Sequence, residues 1–579
     1  MLENMISGFL EFFKLSSFIY MNLGLLAGVI FGCIPGLTVM LCLVLFLPFT
    51  YNLEAIDSFM FLLGIYCAGS YGGSISAILI NTPGTPHAAA TMLDGNPMAK
   101  NGLAKKALNI ALEASTFGGM FSALVLLFLA PQVAKVALKF GASEIFILCV
   151  FGLSIIAGVS GDNLARGIIS GSVGLFLATI GMDIISGTFR FTLGNYNLYA
   201  GFDLVIVLIG LFALSETISN SNGSKKFSEI EKLNLSEVKD TGILTKQEYK
   251  RMFPHALKSS IIGVIVGIIP GTGASMASFL SYDRARKSSK YPEEFGKGSI
   301  DGIAAAESAN NAVTGATLIP LLTLGIPGDA AVAILLGTLM ANGLTPGPNL
   351  FQEHGVTLYA IMIGLVFINI FMWVQGKYLT GFFAKVTKIP SEVLIPLIVV
   401  FCFAGSYSIK NSMFDLYISI AFGIIAYMLL KLKFSTIPIL LGLVLGSLTE
   451  SNFRRALIIS QGDPKIFIER PISLFFVILL VITIGFIVKE NINSDCLEKY
   501  LPPNNTDMIK VFIWDNKNNI SPKCVGNTLY KSINYEKPIG NGTDESPYKV
   551  TSVAELSYLR EEPGAAYILA NNIDLSDVR

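Results

Sequence analysis

The phrase GVIFGCIPGLT at residues 28–38 returns as GVIVGIIPGTG at residues 263–273, identical at seven of eleven positions. Each copy is an apolar run stopped by Pro-Gly, with apolar residues following. Proline removes a backbone donor and frees a carbonyl, while glycine opens backbone conformations closed to other residues. In hydrocarbon every freed group is costly unless it is paired. A break inside a membrane segment is therefore tolerated only where it is buried in protein or lines a watery cavity.

The rest of the chain supplies the membrane segments. It is 52% hydrophobic and 14% charged, a balance foreign to soluble domains. Apolar runs recur from residue 15 to residue 488, and many approach the ~20 residues a helix needs to cross a bilayer. They lack the period-2 alternation of a strand barrel. These runs predict an all-α polytopic membrane protein with about 12 transmembrane helices and a few re-entrant pieces. The N-terminus has no basic n-region, so its first apolar run reads as a retained span. Zero net charge gives no case for nucleic-acid binding. Cys33, Cys42, Cys67, Cys149 and Cys402 lie in apolar runs and read as small core residues. With no CxxC and three His, the sequence offers no zinc cluster and no metal site.

Four stretches follow: residues 1–218 as a first transmembrane repeat, 219–253 as a charged loop, 254–489 as a second repeat with following helices, and 490–579 as a polar tail. The Lys-rich loop belongs on the cytoplasmic side by the positive-inside rule. A second pair of breaks follows the first, NTPG at 81–84 and GIPG at 325–328, and then come GNPMAKNGL (95–103) and GTLMANGL (337–344). About seven spans separate the starting helices of the two repeats by the length rule, and an odd number makes them antiparallel. Discontinuous helices at matching places in inverted halves are the pattern of a secondary transporter's midplane site.

One Pro-Gly alone reads as a kink; four breaks in two matched sets argue for a site. Half-helix N-termini offer N–H groups and positive dipole ends to anions, and hydroxyls and amides donate to carboxylates. The candidate substrate-binding residues are Gly36, Thr38, Ser74, Asn81, Thr82, Gly84, Gly271, Thr272, Gly273, Asn310, Asn311 and Gly328. Glu307, Asn310, Asn311 and Thr314 are spaced to share one helix face. Glu307 and Asp329 are the candidates for coupling to a proton or cation, because ionisable groups inside a membrane are costly and point to function. The structural alternative for Glu307 is a pair with Lys297 or Arg286 outside the bilayer. Glu113, Asp183 and Asp203 fit interfacial ends. His87 reads as a loop histidine, with proton coupling as the sharper option.

The stretches 71–108 (YGGSISAILINTPGTPHAAATMLDGNPMAKNGLAKKAL), 269–286 (IPGTGASMASFLSYDRAR) and 293–351 together resemble the TctA family, the large membrane subunit of tripartite tricarboxylate transporters. The resemblance covers roughly residues 10–490. It implies a permease in the bacterial cytoplasmic membrane that takes up tricarboxylates or related carboxylates, driven by a proton or sodium gradient. It further implies a small membrane partner (TctB-like) and an extracytoplasmic solute-binding protein (TctC-like). The absence of a G-x-x-x-x-G-K-[ST] phosphate loop agrees with transport without ATP. The chain departs from the family phrase at Thr85, where an acidic residue is usual, and at Asn96, where DGYPMA is more frequent. An altered substrate or coupling ion would fit those changes.

The tail lies outside that resemblance. MIKVFIWDNKNNISPKC (508–524) and residues 542–576 look like fragments of Gram-positive surface-protein modules, the second like one rung of a β-solenoid. A single rung cannot bury its apolar face, so the tail reads as a poorly packed fusion fragment. Two other functional classes stay open. A passive anion channel would use rings of charge or carbonyls. A membrane-embedded enzyme would need a catalytic constellation, and the sequence shows none.

Overall fold

A computed structural model describes residues 2–159, 164–183, 185–221, 242–386, 391–498, 548–550 and 567–569. The chain divides into two units, residues 1–485 and 486–579. The first is helical almost throughout. It opens with α1 (Leu2–Phe12) and α2 (Leu15–Cys33), breaks at Pro35-Gly36, and resumes as α3 (Val39–Thr50). The long α4 (Ala55–Ile80) ends at the NTPG break, a short 3₁₀ turn leads into α5 (Ala89–Met98), and α6 (Ala104–Ala137) runs on from it. Next come α7 (Ala142–Val159) and α8 (Leu164–Ala178), then a small antiparallel hairpin of β1 (Gly181–Met182) and β2 (Phe189–Arg190). Helix α9 (Leu204–Leu208) continues through one π-helical turn into α10 (Ser215–Ser221).

The second series follows the same order. Helix α11 (Lys246–Ile268) breaks at Pro270-Gly271 and gives way to α12 (Gly273–Ser288). Helices α13 (Ile300–Ala316) and α14 (Leu318–Leu324) lead to the GIPG break, and α15 (Ala330–Ala341) follows. The remaining helices are α16 (Leu350–Glu353), α17 (Gly355–Val386), α18 (Ser391–Ser408), α19 (Met413–Lys431), α20 (Ile437–Ile459), α21 (Ile466–Glu469) and α22 (Pro471–Glu498). Among the described residues five helices are long and apolar enough to cross a membrane, and seven apolar helical stretches are shorter. The chain is thus an all-α, multi-pass membrane protein, as its apolar runs predict. In the second unit the structure describes two short strands, β3 (Tyr548–Val550) and β4 (Tyr567–Leu569), paired in parallel with Tyr548 opposite Tyr567. The surface-module phrase at 508–524 lies outside the described residues.

The two series share backbone detail. Gly36 and Gly271, 235 positions apart, turn the chain out of α2 and α11 at φ 87° and 85°. Asn81 and Gly325, 244 positions apart, end α4 and α14 in left-handed conformation at φ 52° and 74°. Asparagine and glycine are the residues that reach this region at least cost. The same shifts relate the packing. A Cβ added at Gly28 would lie 2.5 Å from the Ile65 carbonyl oxygen, and one at Gly263 would lie 2.5 Å from the Ala309 carbonyl oxygen. Helices α2 and α11 therefore press backbone to backbone on α4 and α13, as small residues permit in membrane bundles. At the N-terminal turns, buried Asp57 accepts from Ser17 Oγ at 2.7 Å, and buried Asp301, 244 positions on, accepts from Arg251 Nε at 2.8 Å.

Asp203 stands at a helix end and Asp183 in the hairpin, as expected of interfacial acids, whereas Glu113 stands ten residues into α6. Arg190 Nη1 meets Glu450 at 2.7 Å, and Arg454 bridges Asp183 at 2.8 Å and Glu450 at 3.3 Å, so the hairpin is tied to α20. Asp203 caps α9 and meets Lys410 at 3.0 Å. Glu113 accepts from Tyr249 Oη and Trp373 Nε1. Cys33, Cys42, Cys67, Cys149 and Cys402 are buried free thiols.

Candidate functional site

All four breaks fall between helices, and within each series the second break packs on the last turn of the helix that leads to the first. The Gly84 N–H donates to the Gly73 carbonyl at 3.2 Å, and a Cβ on Gly84 would meet the Gly32 carbonyl oxygen at 1.9 Å. In the second series the Gly271 N–H donates to the Gly328 carbonyl at 2.7 Å. The amides of Gly84 and Gly271 are thus engaged with backbone, which accounts for two groups a Pro-Gly break would otherwise strand.

The half-helix N-termini differ in how they are capped. Thr38 caps α3, accepting from the Leu41 N–H, and its hydroxyl donates to Glu216 Oε2 at 2.9 Å. Asp329 caps α15, with Oδ1 accepting from the Val332 N–H at 2.8 Å. Thr272, at the head of α12, turns its hydroxyl back onto the Val266 carbonyl at 2.6 Å and does not cap that helix. Residues Gly271 to Ser275 are half-exposed. The N-terminus of α12 is left with open amides and a positive dipole end.

Between the series lies a buried polar seam on α13. Thr91 of α5 and Ser115 of α6 both donate to the Glu307 carboxylate, Ser115 at 2.7 Å. Glu307 makes no ion pair among the described residues, and Lys297 and Arg286 are not its partners. Asn310 Nδ2 donates to the Ser70 carbonyl at 3.3 Å, and Cys67 Sγ lies 3.6 Å from Thr314 Oγ1. Asn311 turns to α17, its amide 3.8 Å from Met372 Sδ. The four residues spaced to share a face are therefore divided among four neighbouring helices, because α13 is buried on all sides. The carbonyl oxygens of the Asn310 and Asn311 side chains have no partner among the described residues.

The other expected residues fall as follows. Gly36 and Asn81 are exposed, and Thr82 hydrogen-bonds the Ile80 carbonyl. Ser74 is buried with its hydroxyl on the Tyr71 carbonyl, so its proton is spent on its own helix. Gly273 begins α12 at φ 68°. Thr85 is buried with no partner for its hydroxyl among the described residues. His87 Nε2 likewise has none. The sequence reasoning passed over Tyr66, Thr91, Asp94, Ser115 and Glu216. Glu216 and Asp94 carried a signal, the first as an acid beside an apolar run and the second as the acid that opens DGNPMA; the hydroxyls look like ordinary residues of a membrane helix. Among the described residues no three His, Cys, Asp or Glu gather as a metal site.

A family model described as the tripartite tricarboxylate transporter TctA family matches residues 18–441. A curated Agrobacterium vitis protein, named as an uncharacterized 52.8 kDa protein in the TAR-I ttuC' 3' region, is 37% identical over 82% of this chain and 93% of its own length. Another from that organism, named as an uncharacterized protein in the TAR-II ttuC' 3' region, is 41% identical over 36% of this chain and 87% of its own. No solved structure matches the chain. The chain belongs to the TctA family and is a component of a tricarboxylate transporter.

Proposed function

We propose that this TctA-family chain is the large permease subunit of a secondary transporter that takes up tricarboxylates or related carboxylates across the bacterial cytoplasmic membrane. An extracytoplasmic binding protein delivers the substrate, a small membrane subunit completes the complex, and a proton or sodium gradient drives uptake. The observation that carries this reading is the matched pair of interrupted helices, with Gly36 and Gly271 at nearly the same left-handed angle. Interrupted helices at matching positions are how secondary transporters expose backbone at membrane depth.

Substrate carboxylates bind at the helix ends beside these breaks. The uncapped start of α12, at Thr272 and Gly273, is the strongest donor, since Asp329 already supplies a carboxylate to α15. Gly36 and Thr38 face the matching role in the first series, and Asn310 and Asn311, whose amide nitrogens already meet Ser70 and Met372, offer along the seam side-chain oxygens that have no partner among the described residues. Glu307 is the coupling group: a buried carboxyl held by two hydroxyls can exchange a proton, or hold a cation, between the two series. Asp329 is the second coupling candidate.

The test is uptake of labelled carboxylates by cells carrying this chain with its two partner proteins under imposed proton or sodium gradients. Saturable uptake that requires all three proteins and one gradient is the expected result. Equilibration of label with neither partner nor gradient would make the chain a passive pore and sink the proposal.

A further inference from the structure

Asp94, in the phrase DGNPMA, is fully buried on α5. Its Oδ1 accepts three backbone N–H groups from the loop that leads into α13: Gly296 at 2.7 Å, Gly298 at 3.0 Å and Ser299 at 2.8 Å. Gly296 and Gly298 reach this arrangement at φ 82° and 113°. Loop amides turned inward by such angles form an anion-binding concavity. Its other oxygen, Oδ2, lies over the first turn of α13, where a Cβ on Gly302 would come within 2.1 Å. One helical turn before Asp94 on α5 stands Thr91, whose hydroxyl donates to Glu307 further along α13. Positions three apart share a helix face, so α5 meets α13 through two polar anchors. Leu336, in the matching phrase of the second series, carries no carboxylate.

We propose that residues 295–299 form a carboxylate receptor whose ligand is built into the chain, and that Asp94, by filling it, is the positioning residue that holds Thr91 against Glu307. The receptor reads a single oxygen acceptor, since all three amides meet Oδ1. Its occupation fixes the seat of α5 on α13 and so the hydrogen bonding of the coupling carboxyl. The second half of the proposal rests on the coupling role given to Glu307 above; the receptor itself does not.

The test uses the full chain, purified in detergent for stability and placed with its partner proteins for uptake. Asp94→Ala empties the receptor and is expected to lower the thermal midpoint by a few degrees. Sodium formate should restore that midpoint, while an equal concentration of sodium chloride should not. Wild type and Asp94→Asn, whose amide oxygen still accepts from the loop, should not respond to formate. A wild-type midpoint for Asp94→Ala, or one that ignores formate, overturns the receptor. If Asp94→Ala cannot be recovered from membranes, recovery of Asp94→Asn supports the receptor, and loss of both overturns it. For positioning, the pH profile of uptake in Asp94→Ala should differ from wild type and return towards it with formate; an unchanged profile overturns that role. A Glu307→Gln profile identical to wild type removes Glu307 from coupling while leaving the formate response of the receptor as it stands.

Discussion

Tyr66 Oη donates to Asp329 Oδ2 at 2.6 Å, which ties the middle of α4 to the carboxylate that caps α15. One carboxyl thus does two jobs. Its Oδ1 closes the start of a half-helix in the second series, and its Oδ2 is held by a phenol from the first. Losing a hydrogen bond to a charged acceptor costs about 1.5–3 kcal/mol. Tyr66→Phe should therefore reduce uptake about tenfold or more with normal membrane expression. Asp329→Asn keeps a good cap, whereas Asp329→Ala loses about 1 kcal/mol of helix stability as well. Uptake at the wild-type rate in Tyr66→Phe would remove this tie from the transport cycle.

Glu307→Gln keeps the shape, accepting one of the Thr91 and Ser115 hydroxyls at its oxygen and donating to the other from its NH2, but it cannot exchange a proton. Gradient-driven accumulation should be lost, while exchange of internal for external substrate continues. Measuring both in the same vesicles decides the matter. Accumulation equal to wild type would remove Glu307 from coupling.

Two glycine substitutions separate close packing from backbone strain. A Cβ at Gly32 would sit 2.4 Å from the Gly69 carbonyl oxygen, so Gly32→Ala must push α2 off α4, at a cost of about 3 kcal/mol or more. Gly102 has open space around it but lies at φ 83°, so Gly102→Ala should cost only about 1–2 kcal/mol. Thermal unfolding in detergent should rank them in that order. The reverse ranking would contradict the backbone contact between α2 and α4.

Asp183 supplies a pH dependence outside the membrane segments. The Ser186 hydroxyl, the Arg454 guanidinium and the Ile185 N–H hold its carboxyl well below the usual carboxylate range. A depressed carboxyl stabilises the fold fully above its unfolded value of about 3.9. The contribution is lost as pH falls below that value towards the folded one. Hydrogen exchange of the β1–β2 hairpin should therefore quicken as pH falls below about 4, after correction for intrinsic rates. Arg454→Gln should weaken protection at neutral pH and flatten the dependence. Equal protection in the two proteins at every pH would show that the ion pair contributes nothing there.

The helical membrane architecture was legible because apolar length and the Pro-Gly interruptions report directly on how a chain meets hydrocarbon. Gly36 and Gly271 are readable from the same logic, since a left-handed turn calls for glycine. The partners of Glu307 were not legible. Thr91 and Ser115 lie far from it in sequence, and threonine and serine occur in membrane helices for many reasons. Nor could spacing show that Asn310 and Asn311 face different neighbours, because a helix wrapped on every side has no single face. The tie between Tyr66 and Asp329 depends on how the two series dock, which no local pattern encodes.

The contact of α2 on α4 has a mechanical consequence. Where carbonyl and Cα meet with no side chain between them, there is nothing to re-rotamerise, and a shift of less than a helical turn brings backbone into collision. The pair, like α11 on α13, behaves as a strut rather than a joint. The same close approach joins the two series at α6 and α13, where a Cβ on Gly118 would come 2.0 Å from the Ser308 carbonyl oxygen, so that seam too is a strut; only the contacts that side chains carry, such as Tyr66 on Asp329 and Asn310 on the Ser70 carbonyl, can be surrendered one at a time.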